Sequence, residues 1–284
     1  MTVVPGAGGA YNRARRAMTD PRLPPCTPPG DPYAGYAALY DLEHASYDED
    51  LAFYANLARA CELPVLELGA GTGRVALHLA RAGFRVIGID SSPEMLAIAK
   101  AKVEPGLRRR LRFVEADMRD FRLKERFDLV ICAYGTFQHL HSTEEQRSCL
   151  RAVARHLAPG GHFAVAVRPV TSVRWEDADS TARLHWAYRD AKTGEWFSRW
   201  TFLEGRPATQ TVRHVHVVDR VGVDGSVRRA VVEHVLRYTG RYELEALLED
   251  AGLQLDALYG DYDLAPYDDA SDLLIAVARK PGTA

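Results

Sequence analysis

Short apolar runs alternate with amphipathic stretches through the middle of this chain. Each run has four to six residues, the usual length of a strand, and the stretches between the runs place apolar residues at helical spacing. Continuous apolar runs are typical of strands that are buried on both faces of a parallel sheet. Strands that alternate with helices predict a doubly wound α/β fold. The predicted strands are residues 63–68, 84–89, 111–114, 127–132 and 162–167.

Capping signals place the starts of three predicted helices. One helix is expected to begin at Pro93. Another follows Ser142, whose hydroxyl can cap it while Glu145 reaches back to the backbone. Thr239 is expected to cap a third helix, which ends before Gly252.

The α/β alternation stops near residue 172 and returns near residue 239. The runs in between are joined by turn sequences such as KTGE and VDGS, with no room for a helix, so neighbouring runs are predicted to pair antiparallel. We therefore expect an antiparallel β insert in the α/β fold, followed by a helix and two final strands. The predicted strands of the insert are 183–189, 195–203, 210–221 and 227–238, and the final strands are 254–259 and 272–278.

The first 32 residues are rich in glycine and proline and lack periodic apolar positions. They are expected to form a flexible leader. The predicted organisation is a leader at 1–32, an α/β core at 33–171, the β insert at 172–238 and completion of the core at 239–284.

Composition and charge argue against several functional classes. The chain has 284 residues and a formal net charge of −2, which offers no general attraction to nucleic acid or to anionic membranes. No apolar run approaches the roughly 18 residues that are needed to cross a bilayer. The four cysteines show no metal-like spacing and are expected to be reduced thiols, so we expect a cytoplasmic location.

Three glycines follow the first predicted strand in the sequence ELGAGTGR. Gly69, Gly71 and Gly73 would let a ligand approach the backbone closely. A dinucleotide fingerprint would place its third glycine at Arg74 instead, and Glu67 would repel a pyrophosphate. The loop therefore suits a ligand that carries a positive group.

Two further carboxylates follow the next two predicted strands. Asp90 can accept two hydrogen bonds from a ribose diol. Asp117 can accept from an adenine amino group while the N–H of Met118 donates to a ring nitrogen. An adenine, a ribose and a cationic amino-acid portion without phosphate describe S-adenosylmethionine.

Four segments of the chain resemble the first four motifs of the class I S-adenosylmethionine-dependent methyltransferases. They are ELGAGTGR, GIDSSPEML, EADMRDF and FDLVICAYGTFQHL, and the resemblance covers about residues 34–170 and 239–280. It implies a Rossmann-like seven-stranded sheet with an antiparallel last strand, and a cofactor that leaves as S-adenosylhomocysteine. The cofactor-binding residues that it implies are Tyr40, Glu67, Gly69, Ala70, Gly71, Gly73, Arg74, Asp90, Ser91, Met95, Asp117, Met118 and Ala133.

Several of these residues also have a simpler interpretation. Asp90 could serve only as the N-cap of the following helix, and Glu67 could serve only to fix the loop backbone. Asp117 could be an ordinary turn residue. Met95 and Tyr40 could be core or surface residues without a ligand.

Catalytic groups are expected in the loop after the fourth strand, because ligands bind at the carboxyl ends of strands in open α/β sheets. The loop lacks the NPPY-type sequence of amino-methylating DNA enzymes and the Pro-Cys pair of cytosine C5 enzymes. We predict catalytic roles for Tyr134 and His139, with His139 as a general base or as the group that orients the acceptor. The alternative for His139 is a hydrogen bond to a neighbouring carbonyl. His141 is expected to serve the helix start, and no metal is expected because no third ligand accompanies these two histidines.

The β insert is rich in aromatic and histidine side chains and is expected to roof the acceptor pocket. In the run 210–221, His214 and His216 share one face with Val212 and Val218. These side chains could equally pack on the sheet or form a dimer surface. The predicted acceptor-binding residues are Arg168, Trp186, Trp200, His214, His216 and Tyr262.

Among the members of this family, the chain most resembles the small-molecule enzymes, and the nearest group is the bacterial deoxy-amino-sugar N-methyltransferases. We expect methyl transfer to N or O of a small-molecule acceptor, without membrane or nucleic-acid partners, and a homodimer through the insert is one expected arrangement. The alternatives are a tRNA or protein methyltransferase and a non-catalytic S-adenosylmethionine-binding protein.

Overall fold

The strands form two separate sheets in the computed structural model, which describes residues 33, 37–44 and 47–282. The predicted leader lies outside the described residues. The strands are β1 (Val65–Leu68), β2 (Val86–Asp90), β3 (Leu111–Glu115), β4 (Phe127–Cys132), β5 (Leu157–Val167), β6 (Arg183–Arg189), β7 (Trp196–Arg206), β8 (Thr211–Val221), β9 (Val227–Arg237), β10 (Gln254–Tyr259) and β11 (Leu274–Arg279). The helices are α1 (Ala37–His44), α2 (Leu51–Ala58), α3 (Arg74–Arg81), α4 (Pro93–Ala101), α5 (Thr143–His156) and α6 (Arg241–Asp250).

The larger sheet has seven strands in the order β10-β11-β5-β4-β1-β2-β3. β11 is antiparallel to both of its neighbours, and the other pairs are parallel. This confirms the predicted seven-stranded doubly wound fold with an antiparallel last strand. In this sheet the predicted strand boundaries hold to within two residues except at β5, which begins directly after α5 at Leu157.

Both faces of the seven-stranded sheet are covered by helices. On one face, α5 and α6 pack through residues such as Leu150 and Leu247, and on the other, α2, α3 and α4 contribute Tyr54, Leu79 and Leu96. Full burial of one such apolar side chain contributes about 1.5–3 kcal/mol. The loops at the carboxyl ends of the strands are therefore held on a rigid support.

One of the predicted helix caps is confirmed in the structure and another differs. Ser142 caps α5 by accepting from the N–H of Glu145 at 3.2 Å, as predicted, although the Glu145 carboxylate accepts from the N–H of His141. The prediction that Thr239 caps the last helix is wrong, because the N-cap of α6 is Gly240. Thr239 is fully buried, and its hydroxyl accepts instead from the side chain of Gln146 at 3.0 Å.

The smaller sheet is formed by the insert strands in the order β6-β7-β8-β9, all antiparallel. One of its faces packs on the core, where Val218 and Val232 contact Tyr33, Tyr40 and Trp186. No helix in the described part of the chain is both long and apolar enough to span a membrane.

Candidate active site

A cavity of about 340 Å³ lies at the carboxyl ends of β1 to β4, beneath the insert sheet. This volume falls in the usual range of small-molecule sites. The insert contributes residues 233–235 of β9 to its wall. The predicted cofactor residues in the lining are Tyr40, Gly69, Gly71, Asp90, Ser91, Met95, Asp117 and Met118, whereas Glu67, Ala70, Gly73, Arg74 and Ala133 are not part of it.

The three loop glycines all have positive φ angles, but they serve two purposes. A Cβ atom on Gly69 would lie 2.2 Å from Cγ2 of Thr136, and one on Gly73 would lie 2.8 Å from Cζ of Phe113. The absence of a side chain at Gly69 and Gly73 therefore leaves room for the side chains of Thr136 and Phe113. Gly71 faces more open space, since the nearest contact of its Cβ would be Cε of Met95 at 3.7 Å. Of the three glycines, Gly71 is therefore the one whose backbone leaves space for the close ligand approach that the sequence predicted.

Glu67 has a buried carboxyl group whose two oxygens differ in their contacts. The residue is 3 % exposed, and its Oε2 has no hydrogen-bond partner among the described residues. Burial raises the pKa of Glu67 to about 8, although the nearby charge of Arg74 and a backbone hydrogen bond from Ala76 oppose this shift. The backbone hydrogen bond from Ala76 is the contact that the simpler interpretation of Glu67 expects, and Oε2 lies outside it.

Asp90 closes the glycine loop onto the end of β2. Its Oδ2 accepts from the N–H of Gly71 at 2.7 Å, and its Oδ1 accepts from the N–H of Ser92 at 2.8 Å. The simpler interpretation of Asp90 as a helix cap is wrong, because Ser92 is the N-cap of α4. An ionised carboxylate has about four acceptor positions, so Asp90 can also accept from ribose hydroxyls.

Asp117 is engaged by a neighbouring arginine. The guanidinium of Arg119 donates to both carboxylate oxygens of Asp117, with the shortest contact at 2.6 Å. Although partial burial acts to raise it, the hydrogen bonds from Arg119 hold the pKa of Asp117 below its usual value. Asp117 therefore lines the cavity as an ionised group. An adenine amino group that donated to Asp117 would have to use an oxygen that already accepts from Arg119.

Arg74 and Tyr134 belong to a contact between α2 and the strand-end loops. The Arg74 guanidinium donates to the buried carboxylate of Asp50 at 2.6 Å and lies 5.5 Å from the ring centre of Tyr134. Tyr134 has a φ of 51° and is 42 % exposed. Neither side chain lines the cavity, so a role for either one would have to involve movement or indirect positioning.

His139 lines the cavity from the 3-10 turn Thr136–His139. Burial lowers the pKa of His139 to about 4, which keeps its imidazole neutral at physiological pH. Its Nε2 is 3.1 Å from the hydroxyl of Tyr33, so its observed partner is a side chain and not the carbonyl of the alternative interpretation. His141 serves the start of α5 as predicted, and its Nε2–H also donates to the carbonyl of Val235 in β9 at 2.8 Å.

The predicted acceptor residues fall into two groups. His214, His216 and Trp186 lie on the core-facing side of the insert sheet, and the charge of Arg168 acts on His214. Trp200 pairs with Val217 and therefore lies on the opposite face, because side chains alternate along a strand. Tyr262 packs against Phe53 and Tyr54 and is not part of the cavity lining.

Tyr33, Glu233 and His234 are among the cavity residues that sequence reasoning missed. His234 lies directly opposite His214 in the β8–β9 register. Strand alternation could have indicated the face of β9 on which His234 lies, but the pairing register was needed to bring it beside His214.

Comparison with known proteins gives consistent matches. A family model described as a methyltransferase domain matches residues 65–161. A dTDP-4-amino-2,3,4,6-tetradeoxy-D-glucose N,N-dimethyltransferase of Saccharopolyspora spinosa is 31 % identical over 79 % of this chain and 88 % of that protein. A cypemycin N-terminal methyltransferase of a Streptomyces species is 29 % identical over 76 % of this chain and 83 % of that protein. The solved structure of the CcbJ methyltransferase from Streptomyces caelestis matches with a TM-score of 0.71 and 28 % identity, over 87 % of this chain and 96 % of that chain.

Proposed function

Because this chain belongs to the class I S-adenosylmethionine-dependent methyltransferases, we propose that it methylates an amino group of a small molecule. The observation that carries this proposal is the buried, neutral imidazole of His139 in the wall of a cavity that the insert covers. Two relatives also support an amine, since their names describe an N,N-dimethyltransferase and an N-terminal methyltransferase.

The unpaired oxygen of Glu67 and the carboxylate of Asp90 fit the two polar parts of the cofactor. When it is bound, S-adenosylmethionine supplies a methyl group on a sulfonium that an amine can attack directly. We propose that Glu67 accepts from the ammonium of its methionine portion and that Asp90 accepts from its ribose. Asp117 and Met118 would border the adenine at the end of β3.

The protein's own work in this reaction is alignment and control of protonation. Holding an acceptor in line at a short distance can contribute roughly 7–11 kcal/mol in favourable cases. The burial that keeps His139 neutral also disfavours a protonated amine, so the acceptor binds in its nucleophilic form. A ring nitrogen of His139 accepts a hydrogen bond from the bound amine and directs the amine lone pair, while Tyr33 orients the ring. The methylated amine loses its proton to solvent as the product leaves.

The insert and the core divide these tasks. In this proposal the core (33–171 and 239–284) binds the cofactor, and the insert (172–238) covers the acceptor with His214, His216 and Trp186. Three cysteines, Cys61, Cys132 and Cys149, are free thiols in the described part of the chain, which supports the cytoplasmic location that we propose.

The outer face of the insert sheet supports self-association. Leu184, Trp196, Trp200, Val227 and Val231 share this face and are between 38 % and 61 % exposed. Contiguous apolar surface of this kind marks interaction sites more often than single exposed apolar residues do. We propose that two chains pair through it.

A panel of matched acceptors tests the proposed reaction. The purified protein is incubated with S-adenosylmethionine and a dTDP-activated amino-deoxy sugar, the same sugar with a hydroxyl in place of the amine, or a peptide with a free α-amine. We expect S-adenosylhomocysteine and an N-methylated product from the amino sugar alone. Turnover of the hydroxyl sugar at the same rate, or of the peptide alone, would overturn the proposed acceptor.

Variants of two histidines test the proposed orienting role of His139. His139→Ala is expected to lower kcat roughly 10²-fold and to leave the affinity for S-adenosylmethionine unchanged. His162→Ala is the matched control, because His162 is exposed and pairs with Asp256 away from the cavity. An unchanged kcat in His139→Ala would remove that residue from the reaction.

A further inference from the structure

Three histidines of the insert face one another beside the cavity. We propose that His214, His216 and His234 form a binding site for a divalent transition-metal ion, with Zn²⁺ as the expected occupant. The sequence analysis considered a metal only at His139 and His141, which are not part of this group. The third histidine here, His234, lies on β9, and the pairing of β9 with β8 could not be read from the sequence.

The backbone brings the three imidazoles together. His214 and His216 are two residues apart on β8 and therefore share a face, and His234 on β9 pairs directly with His214. One nitrogen from each ring lies within 4.8 Å of the other two. Tetrahedral Zn²⁺ binds imidazole nitrogen at about 2.0–2.1 Å, so each ring has to move by roughly an ångström to coordinate the ion.

The remaining ring nitrogens have partners of the kind that orient metal ligands. The hydroxyl of Thr201 lies 3.1 Å from Nδ1 of His216, and the hydroxyl of Tyr238 lies 3.3 Å from Nε2 of His214. Ligating histidines usually bond an oxygen through the second nitrogen, which fixes the ring orientation. These contacts direct Nε2 of His216 and Nδ1 of His214 toward the metal.

His234 supplies the third nitrogen and connects the site to the cavity. Its Nδ1 is buried and has no hydrogen-bond partner among the residues that the structure describes. A buried polar atom of this kind is unfavourable unless something binds it.

The surrounding charges favour an anionic group as the fourth ligand. Arg199 acts on all three histidines and Arg168 acts on His214, and both cations oppose a divalent ion. A hydroxide or another anionic group in the fourth position offsets this repulsion. His234 lines the cavity, so the open position faces the space in which an acceptor would bind. Three imidazoles with one open position are also the donor set of several catalytic zinc sites.

Metal binding is measured on the full chain without cofactor or acceptor, so its outcome does not depend on the proposed methylation. The protein is dialysed against a chelator and titrated with Zn²⁺ in competition with a chromophoric chelator. We expect one Zn²⁺ per chain, and Co²⁺ is expected to give the intense visible absorption of a four-coordinate site. A wild-type protein that takes up no stoichiometric Zn²⁺ would overturn the proposal.

Single variants then assign the ligands. His216→Ala and His234→Gln are each expected to weaken Zn²⁺ binding at least 10-fold and to abolish the Co²⁺ absorption, whereas His162→Ala keeps both. Unchanged affinity for S-adenosylmethionine in each variant shows that the core is still folded. Equal Zn²⁺ affinity in wild type and in the two ligand variants would assign the ion to another place and overturn the site.

Discussion

At the scale of single residues, the strand-end loops combine tight packing with a buried acid. Gly69 and Gly73 bring Thr136 and Phe113 against the loop backbone. Glu67 lies under this loop with one oxygen unpaired among the described residues. The packing at Gly69 and Gly73 holds the loop in one shape before a ligand arrives. The glycines and Glu67 each lead to a separate prediction.

Gly69→Ala is expected to abolish cofactor binding. Residue 69 has a φ of +60°, which is unfavourable for alanine, and its Cβ would overlap Cγ2 of Thr136. Gly106→Ala is the matched control, because a Cβ there meets nothing within 4 Å. Calorimetric titration with S-adenosylmethionine compares the two variants. Wild-type affinity in Gly69→Ala would show that Thr136 moves aside easily.

Glu67→Gln is expected to stabilise the cofactor-free protein at alkaline pH. Burial raises the pKa of Glu67 from 4.5 to about 8, so the folded state keeps a proton that the unfolded chain has lost. Stability from this group is therefore fully present below pH 4.5 and is lost as pH rises to about 8. The Tm difference between Glu67→Gln and wild type should be small at pH 5 and should widen up to about pH 8.

The control for this pH dependence is Glu62→Gln, since Glu62 is an exposed carboxylate close to the same strand. Its Tm should follow that of the wild type at every pH. A Tm difference for Glu67→Gln that stays constant between pH 5 and pH 9 would contradict the raised pKa.

At the scale of elements, the insert is tied to the core where β9 ends. The side chain of Arg237 is buried and donates to Gln146 in α5 at 2.7 Å, to Gln210 before β8 at 2.9 Å and to Glu243 in α6. The hydrogen bond from His141 to Val235 adds a second connection. These contacts fix β9 and its His234 over the cavity.

Arg237→Ala is expected to destabilise the protein by about 3 kcal/mol, because it leaves buried polar partners unpaired. Arg241→Ala is the matched control: Arg241 forms an exposed pair with Glu245 one turn along α6, and such pairs contribute less than about 1 kcal/mol. Urea denaturation measures both. Equal losses of stability would mean that the Arg237 contacts add nothing beyond a surface ion pair.

At the scale of the whole molecule, the insert sheet has two unlike faces. The inner face carries the histidines and packs on the core, and the outer face exposes Trp196, Trp200 and Val231. In the proposed dimer, the second chain covers this outer face. The same pairing would also limit the movement of the insert over the cavity.

Val231→Glu is expected to convert the proposed dimer into a monomer, because it places a charge in the centre of the apolar outer face. Val223→Glu is the control, since Val223 is 77 % exposed but lies in the turn between β8 and β9. Light scattering coupled to size-exclusion chromatography gives the mass of each variant. A wild-type monomer, or a dimer in Val231→Glu, would contradict pairing through this face.

Local chemistry was sufficient to predict most of the fold and several of the strand-end loops that line the cavity. Apolar runs predicted β4 and β10 at their exact bounds, and capping chemistry predicted Ser142. The sequence could not show that Thr239 fails to cap α6, because its hydroxyl is used by Gln146, which is 93 residues away in the chain. Trp200 was assigned to the acceptor pocket because composition alone does not give the face of a strand.

The sequence by itself determined the order of strands and helices, the glycine loop with its carboxylates, and the position and antiparallel nature of the insert. These follow from spacing over a few residues, where backbone geometry fixes which side chains are neighbours. Only the tertiary structure decided that Glu67 keeps an oxygen unpaired among the residues that the structure describes, that Arg237 joins β9 to two helices, and that His234 completes a group of three histidines. Burial and strand register depend on contacts between distant segments, and no local pattern encodes them.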